Sequence, residues 1–309
     1  MAAIWIILAR PMVAEEGIHQ PLIVVDPDAL RKHVEVLSER FVPRSDEYPK
    51  NLAKVADYIA TSFRASGTRV NEQEFEVYKT RYKNIIAEYG PPISEILVVG
   101  AHYDTAGEQP GADDNASGVA GLLEIGRLLA QDKLGSRVVL AAYALEEPPN
   151  FRTENMGSAV HARSLKESGV SVKLMISHEM IGYFSEKKNS QRFPIPFLKL
   201  FYPSQGNFIL VVDQLFSNQA RGLKKWMSAV CEVPVYSINA PAFIPGVDFS
   251  DHQSFWKYGY PAVMVTDTAF YRNEAYHSSR DTADRLDYRK MAQVVHGVYS
   301  YVKQAAQEK

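Results

Sequence analysis

Apolar positions in this chain repeat with two periods, and the alternation between them predicts the fold. From Asp26-Pro27-Asp28 onward, Leu30, Val34, Leu37 and Phe41 recur at helical spacing, which predicts a helix broken at Val42-Pro43. A second helix is predicted from near Pro49 to Ser66, with Leu52, Val55, Ile59 and Phe63 on one face and Gly67 past its end. Thr68 to Tyr78 then alternates polar and apolar and Tyr82 to Tyr89 follows, a hairpin-like pair of strands joined by Lys79-Thr80-Arg81. Short, continuous apolar runs come next, at Ile96–Val99, Val138–Leu145, Val172–Ile176, Asn207–Val212 and Ala262–Thr266, and these read as buried strands.

Helical patterns separate these runs. One opens at Asp113–Gly118 and carries Val119, Leu122, Leu123 and Ile125 to Leu129. Others run from Gly157 to Lys166 and from Ser217 to Cys231, with a short one beginning at Phe249–Phe255. The last, Asp287 to Gln304, turns Met291, Val294, Val295, Val298 and Val302 to one side. Strands alternating with helices predict an α/β fold: a single three-layer α/β/α domain over residues 26–309 with a mixed, mostly parallel central sheet. The early hairpin is what makes the sheet mixed. The segment Tyr183–Gly206 has no clear period but carries Phe193, Phe197, Phe201 and Tyr202, so it is expected to be ordered and to shape an apolar pocket.

Residues 1–25 stand apart as an N-terminal arm or the remnant of a signal segment. The apolar run Ala2–Ala9 is too short to span a bilayer. It fits the core of a secretory signal, with Met12-Val13-Ala14 near a cleavage point, although no basic residue precedes it; it fits equally an arm packed on the domain. The 309 residues are 46% hydrophobic with a net charge of -2, as expected of a globular protein with a large core. No Lys/Arg-rich run suggests a nucleic-acid partner. The single Cys231 has no internal partner for a disulfide and reads as a small buried hydrophobe.

The chemistry gathers where the apolar runs stop. The first buried strand ends at His102 and Asp104, and the helix after it opens with Asp113, Asp114 and Asn115. The next strand ends at Glu146-Glu147, and the one after at His178-Glu179. Tyr276-His277 follows far downstream in Tyr-His-Ser-Ser-Arg-Asp-Thr. In open α/β sheets ligands bind beyond the carboxyl ends of the strands. Imidazoles and carboxylates collected on that edge suit a metal site. Asp104 lies two residues from His102 on an extended chain, placed to accept the second imidazole N–H. Glu146 and Glu147 point to opposite sides, so one can bind metal while the other serves as a base.

His-x-Asp, Gly-Ala-Asp-Asp-Asn-Ala-Ser-Gly, Glu-Glu, the strand-end acid and the late Tyr-His, in this order from about Tyr82 to the C-terminus, resemble the co-catalytic zinc exopeptidases. That family includes bacterial leucyl aminopeptidases, glutamate carboxypeptidases, glutaminyl cyclases and the inactive ectodomain of the transferrin receptor. The resemblance implies two zinc ions per chain and a peptide substrate. It implies that Asp114 bridges the metals, that His102 and Glu179 complete one, and that Glu147 and His277 complete the other. It further implies that Glu146 is the general base, that Tyr276 donates to the developing oxyanion, and that the Asp114–Asn115 peptide is cis.

An aminopeptidase is the activity expected first. Glutaminyl cyclase-like chemistry at one zinc and a non-catalytic binding domain are the alternatives. Two positions depart from the pattern. Residue 179 is Glu where such aminopeptidases usually carry Asp, which moves the carboxylate by about 1.5 Å. Pro148-Pro149 lengthens a loop beside the pocket. Asp251 and His252 resemble a family motif near the pocket and are expected to support the site. His19, His33, His161 and His296 are read as packing or surface residues.

Overall fold

The structure is a computed structural model that describes residues 23–93 and 95–307. The run Ala2–Ala9 and its possible cleavage point lie outside the described residues. Among the described residues, eight strands form one sheet: β1 (Arg69–Val77), β2 (Thr80–Tyr89), β3 (Glu95–His102), β4 (Arg137–Tyr143), β5 (Ser171–Glu179), β6 (Ile209–Gln214), β7 (Val235–Ala240) and β8 (Ala262–Thr266). Their order across the sheet is β1-β2-β4-β3-β5-β8-β6-β7. The hairpin β1–β2 is antiparallel, as are β2–β4 and β6–β8; β4–β3, β3–β5, β5–β8 and β6–β7 are parallel.

Seven α-helices flank the sheet among the described residues: α1 (Pro27–Glu35), α2 (Pro49–Ala65), α3 (Gly118–Leu129), α4 (Gly157–Glu167), α5 (Gln219–Val230), α6 (His252–Lys257) and α7 (Tyr288–Gln307). The central strands are buried on both faces, which is why they read as unbroken apolar runs. Along β3, Leu97, Val99 and Ala101 enter the larger core with α1, α2, α3 and α7, whereas Ile96 and Val98 join the core under α4 and α6. This is the expected three-layer architecture.

Three features differ from the sequence reading. Strand β7 lies in Val235–Ala240, between two prolines and too short for its pattern to stand out. The helix predicted to open at Asp113 starts instead at Gly118, after an irregular wide turn, Ala112–Ser117, in which Asp114 and Asn115 are not helical. The peptide Asp114–Asn115 is cis, as the resemblance implies. Within the aperiodic segment, Pro196–Leu200 forms a short 3-10 turn with no buried residue. On one face of β6, β7 and β8, Val212, Ala240 and Met264 pack with Val247 from the loop after β7, and Trp256 of α6 lies against them.

Candidate active site

Parallel pairing of β4, β3 and β5 brings their carboxyl ends to one edge. His102 is the last residue of β3, Glu179 the last of β5, and Glu146 and Glu147 follow β4 within four residues. Two loops complete the group. The wide turn before α3 supplies Asp114, and the segment before α7 supplies His277.

Asp114 stands between the two imidazoles. Its Oδ1 is 3.4 Å from His102 Nε2 and its Oδ2 is 3.1 Å from His277 Nε2. Glu179 Oε2 lies 3.2 Å from His102 Nε2, and Glu147 Oε1 lies 3.2 Å from His277 Nε2. The ligand candidates thus divide into two sets of three that share Asp114. The longer Glu179 side chain reaches its histidine at the same distance as Glu147 reaches the other. Glu146 belongs to neither set, with Oε2 4.0 Å from His102 Nε2.

The hydrogen bonds single out the same five residues. Buried polar groups are normally paired, and unpaired ones call for an explanation. His102 Nε2, Asp114 Oδ1, Glu147 Oε1, Glu179 Oε2 and His277 Nε2 are all buried without a hydrogen-bond partner. Each of the five lies within 3.4 Å of another of the five residues, and among the described residues His102, Asp114 and Glu147, drawn from both sets, bring ligand atoms within 4.8 Å of one another. A cation at this place would satisfy them.

The electrostatics agree. Burial pushes Glu146 well above the usual carboxylate range, and Glu147, Glu179 and Asp251 add to the shift against the opposing pull of His102. Burial and the nearby Asp114 raise Glu147 to about 7, although His277 counteracts them. Burial alone would raise Asp114, but its contacts with His102 and His277 hold it below its usual value. The same carboxylates drive both imidazoles upward against their burial, His277 to about 10. Too much negative charge is packed here for two imidazoles to balance, and a multivalent cation matches the excess.

The supporting residues are partly unforeseen. His102 Nδ1 lies 3.2 Å from the backbone carbonyl of Asp104 and 3.5 Å from its Oδ1, so the carbonyl is the nearer acceptor and the expected carboxylate stands beside it. The Asp104 carboxylate also accepts the backbone N–H groups of Glu146 and Glu147, at 3.1 and 3.0 Å. Asn115 fastens the turn to the end of β5: its Nδ2 donates to the His178 carbonyl at 2.8 Å, and its Oδ1 accepts from Met180 N at 3.1 Å.

Arg44 is fully buried and donates to four carbonyls, those of Leu37, Tyr103, Pro110 and Gly111, at 2.6–3.0 Å. It ties down the loop between His102 and Asp114. Gly111 in that loop has φ +58, and a Cβ there would sit 2.2 Å from the Asp114 carbonyl, so only glycine fits. Nothing in the spacing around Arg44 marked it for this role.

Tyr276 stacks on His277, with ring centroids 3.8 Å apart. Asp251 and His252 are buried; Asp251 is near enough to His102 and Glu179 to feel their charge, and His252 Nε2 pairs with the Val247 carbonyl at 2.8 Å. His161 is also buried, 2.9 Å from the Tyr143 hydroxyl.

Beside Glu179 and Tyr276 opens an apolar cavity of ≈ 80 Å³ against residues of β6, β7 and β8. Leu210, Val212, Ile238 and Met264 form its floor, and Phe193, Leu198 and Tyr202 of the aperiodic segment form one wall. Phe197 and Phe201, expected in that wall, are exposed and pack on each other at 5.1 Å. Their side chains lie on the outer side of the 3-10 turn, while Leu198 faces inward.

Comparison with known proteins gives a consistent picture. The description "Peptidase family M28" matches residues 84–302. The chain is 50% identical over 281 residues to "Uncharacterized protein YfbL" of Escherichia coli (strain K12), covering 88% of this chain and 86% of that protein. It is 28% identical over 237 residues to "Probable leucine aminopeptidase 1" of Trichophyton verrucosum (strain HKI 0517); the match covers 72% of this chain and spans 58% of that relative's length. Among solved structures, the LapA aminopeptidase of Legionella pneumophila superposes with a TM-score of 0.74 at 20% identity, over 92% of this chain and 73% of that one. The glutaminyl cyclase of Porphyromonas gingivalis superposes with a TM-score of 0.69 at 20% identity, over 91% and 99%. Both likenesses are of fold. No helix among the described residues is long and apolar enough to cross a membrane.

Proposed function

The chain belongs to peptidase family M28, and on that premise we propose that it is a two-zinc aminopeptidase that removes N-terminal residues with large apolar side chains. The observation that carries this reading is the set of five unpartnered buried atoms, divided into two groups of three around Asp114. The donor set, two imidazole nitrogens and three carboxylates, is one that zinc accepts. His102, Asp114 and Glu179 would hold one ion; Asp114, Glu147 and His277 would hold the other. Zinc bound there supplies Lewis acidity and lowers the pKa of water.

The chain's own residues supply the remaining steps. Glu146 is buried beside the centre but outside both ligand sets, and a carboxylate with a raised pKa is suited to taking a proton and giving it back. It accepts the proton of the attacking water and returns it to the leaving amine. Tyr276 keeps its phenolic proton, because burial and the surrounding carboxylates push its pKa up. It donates that O–H to the oxygen on which charge develops. Glu179 and Glu146 offer carboxylates to the free α-ammonium of the substrate. The apolar cavity receives the first side chain, and the enzyme's preference follows from that cavity's lack of charged groups other than Glu179 and Arg192.

Purified protein supplied with zinc should be assayed against aminoacyl-anilides, the same compounds with blocked amines, and peptides beginning with glutamine. Release from unblocked leucyl and phenylalanyl anilides, with blocked ones untouched, is expected. Cyclisation of N-terminal glutamine with one zinc per chain would instead favour the glutaminyl cyclase reading.

A further inference from the structure

We propose that Asp281 is a positioning residue that sets the separation of His277 from Asp114, and so controls occupancy of the half of the site those two residues share with Glu147. The proposal rests on the two-zinc reading above. Four of the five ligand candidates have strong local support. His102 and Glu179 sit on β3 and β5, which pair directly, with Gly100 opposite Ser177 just below them. Glu147 follows β4 and is held through its N–H by Asp104. Asp114 is fastened toward β5 through Asn115, and Ser117 adds a second tie by donating to the Asp113 carbonyl and accepting from Ile181 N. His277, like Asp114, is not carried by a strand. It lies in a loop, at φ +51, and its carbonyl accepts one bond from Gln109 Nε2 at 3.1 Å.

Asp281, four residues further along that loop, closes this gap. Its backbone carbonyl accepts Ala112 N at 3.1 Å. Its carboxylate accepts Asp113 N at 3.1 and 3.2 Å and Asp114 N at 3.0 Å. Three consecutive amides of the turn that carries Asp114 therefore end on one residue of the loop that carries His277. Asp281 is 1% exposed, so water has little access to replace these bonds. The clip joins the two ligands that no β-ladder connects. Removing the Asp281 carboxylate leaves the bond from Ala112 N to the Asp281 carbonyl and that from Asn273 Nδ2 to Asp113 Oδ2 at 3.0 Å, so His277 should shift away from Asp114 without coming free, while the ties through Asn115 and Ser117 keep Asp114 near His102 and Glu179.

The test is a zinc titration of metal-free protein in competition with a chromophoric chelator, on the wild type, Asp281→Asn and Asp281→Ala, with thermal melting of each metal-free protein alongside. The wild type should take two equivalents. In the variants one equivalent should keep its affinity within about threefold, and the other should weaken by roughly 10–100-fold, the range usual for lost support behind a metal ligand. Asp281→Asn, which keeps one acceptor oxygen and is the milder change should Ala impair folding, should lie between. Two equivalents in both variants with wild-type affinities would overturn the inference and leave the two-zinc reading standing. Loss of both equivalents in parallel from a folded variant would also overturn it, since the clip would then serve the whole centre. A wild type that takes fewer than two equivalents would overturn the reading and the inference together.

Discussion

The carboxylate of Asp104 accepts the backbone N–H of Glu147 at 3.0 Å, across the gap between the ends of β3 and β4. The other carboxylate oxygen takes Glu146 N at 3.1 Å. One side chain thereby orients both glutamates, the proposed ligand and the proposed base, while its own backbone carbonyl faces His102 Nδ1. Asp104→Ala strands two buried N–H groups, each at about 1–3 kcal/mol. The expected outcome is a lower melting temperature together with zinc affinity reduced about 10–100-fold. Scanning calorimetry and zinc titration check both. A variant that melts lower yet binds zinc as the wild type does would confine Asp104 to stability.

Glu146 and Glu147 are adjacent but have different expected losses. Glu146→Gln should retain zinc and lower kcat by at least about 10²-fold, because it removes the base without removing a ligand. Glu147→Gln should release one zinc equivalent. Metal analysis of the two purified variants decides this, and equal metal loss in both would mean that the roles are misassigned.

The cavity predicts selectivity by size. Ile238→Trp should fill the floor beneath the first side chain and lower kcat/KM for leucyl and phenylalanyl substrates at least about tenfold, in the range that apolar pockets discriminate. Alanyl substrates should change little. Phe197→Ala, on the exposed side of the 3-10 turn, should leave the ratios among substrates unaltered. Constant ratios in Ile238→Trp would place the specificity elsewhere.

Burial pushes His161 down to about 4 from an ordinary value of 6.5. Above pH 6.5 the imidazole is neutral in the folded and unfolded chain alike. As the pH falls from 6.5 toward 4 the unfolded chain takes up a proton that the folded one refuses, so stability falls by about 1.4 kcal/mol per pH unit. His161→Gln removes this contribution. Urea unfolding at pH 7 and pH 5 should show the wild type losing about 2 kcal/mol more than the variant over that interval. Equal losses would mean that His161 is protonated in the folded protein.

The sequence by itself determined the alternation of strands and helices, because a strand buried on both faces must be apolar along its length and a helix on one face must repeat its apolar residues at helical spacing. It also marked His102, Glu146, Glu147 and Glu179, since a polar residue that ends an apolar run stands at the sheet edge where ligands bind. What lay beyond its reach depends on contacts between residues far apart in the chain. The division of five ligand candidates into two sets follows from which strands are neighbours, and β3 lies between β4 and β5 in the sheet although it precedes both in the chain. The role of Asp281 follows from a loop folding back on a turn 168 residues earlier. The cavity is lined by β6, β7 and β8 together with loop residues such as Phe193, Val247 and Phe270, and contacts of that kind leave no periodic signal in the segments that border it. Local periodicity records which side of an element is buried. Which partner buries it, and which polar atoms remain unpaired at the end, are fixed only when the whole chain is packed.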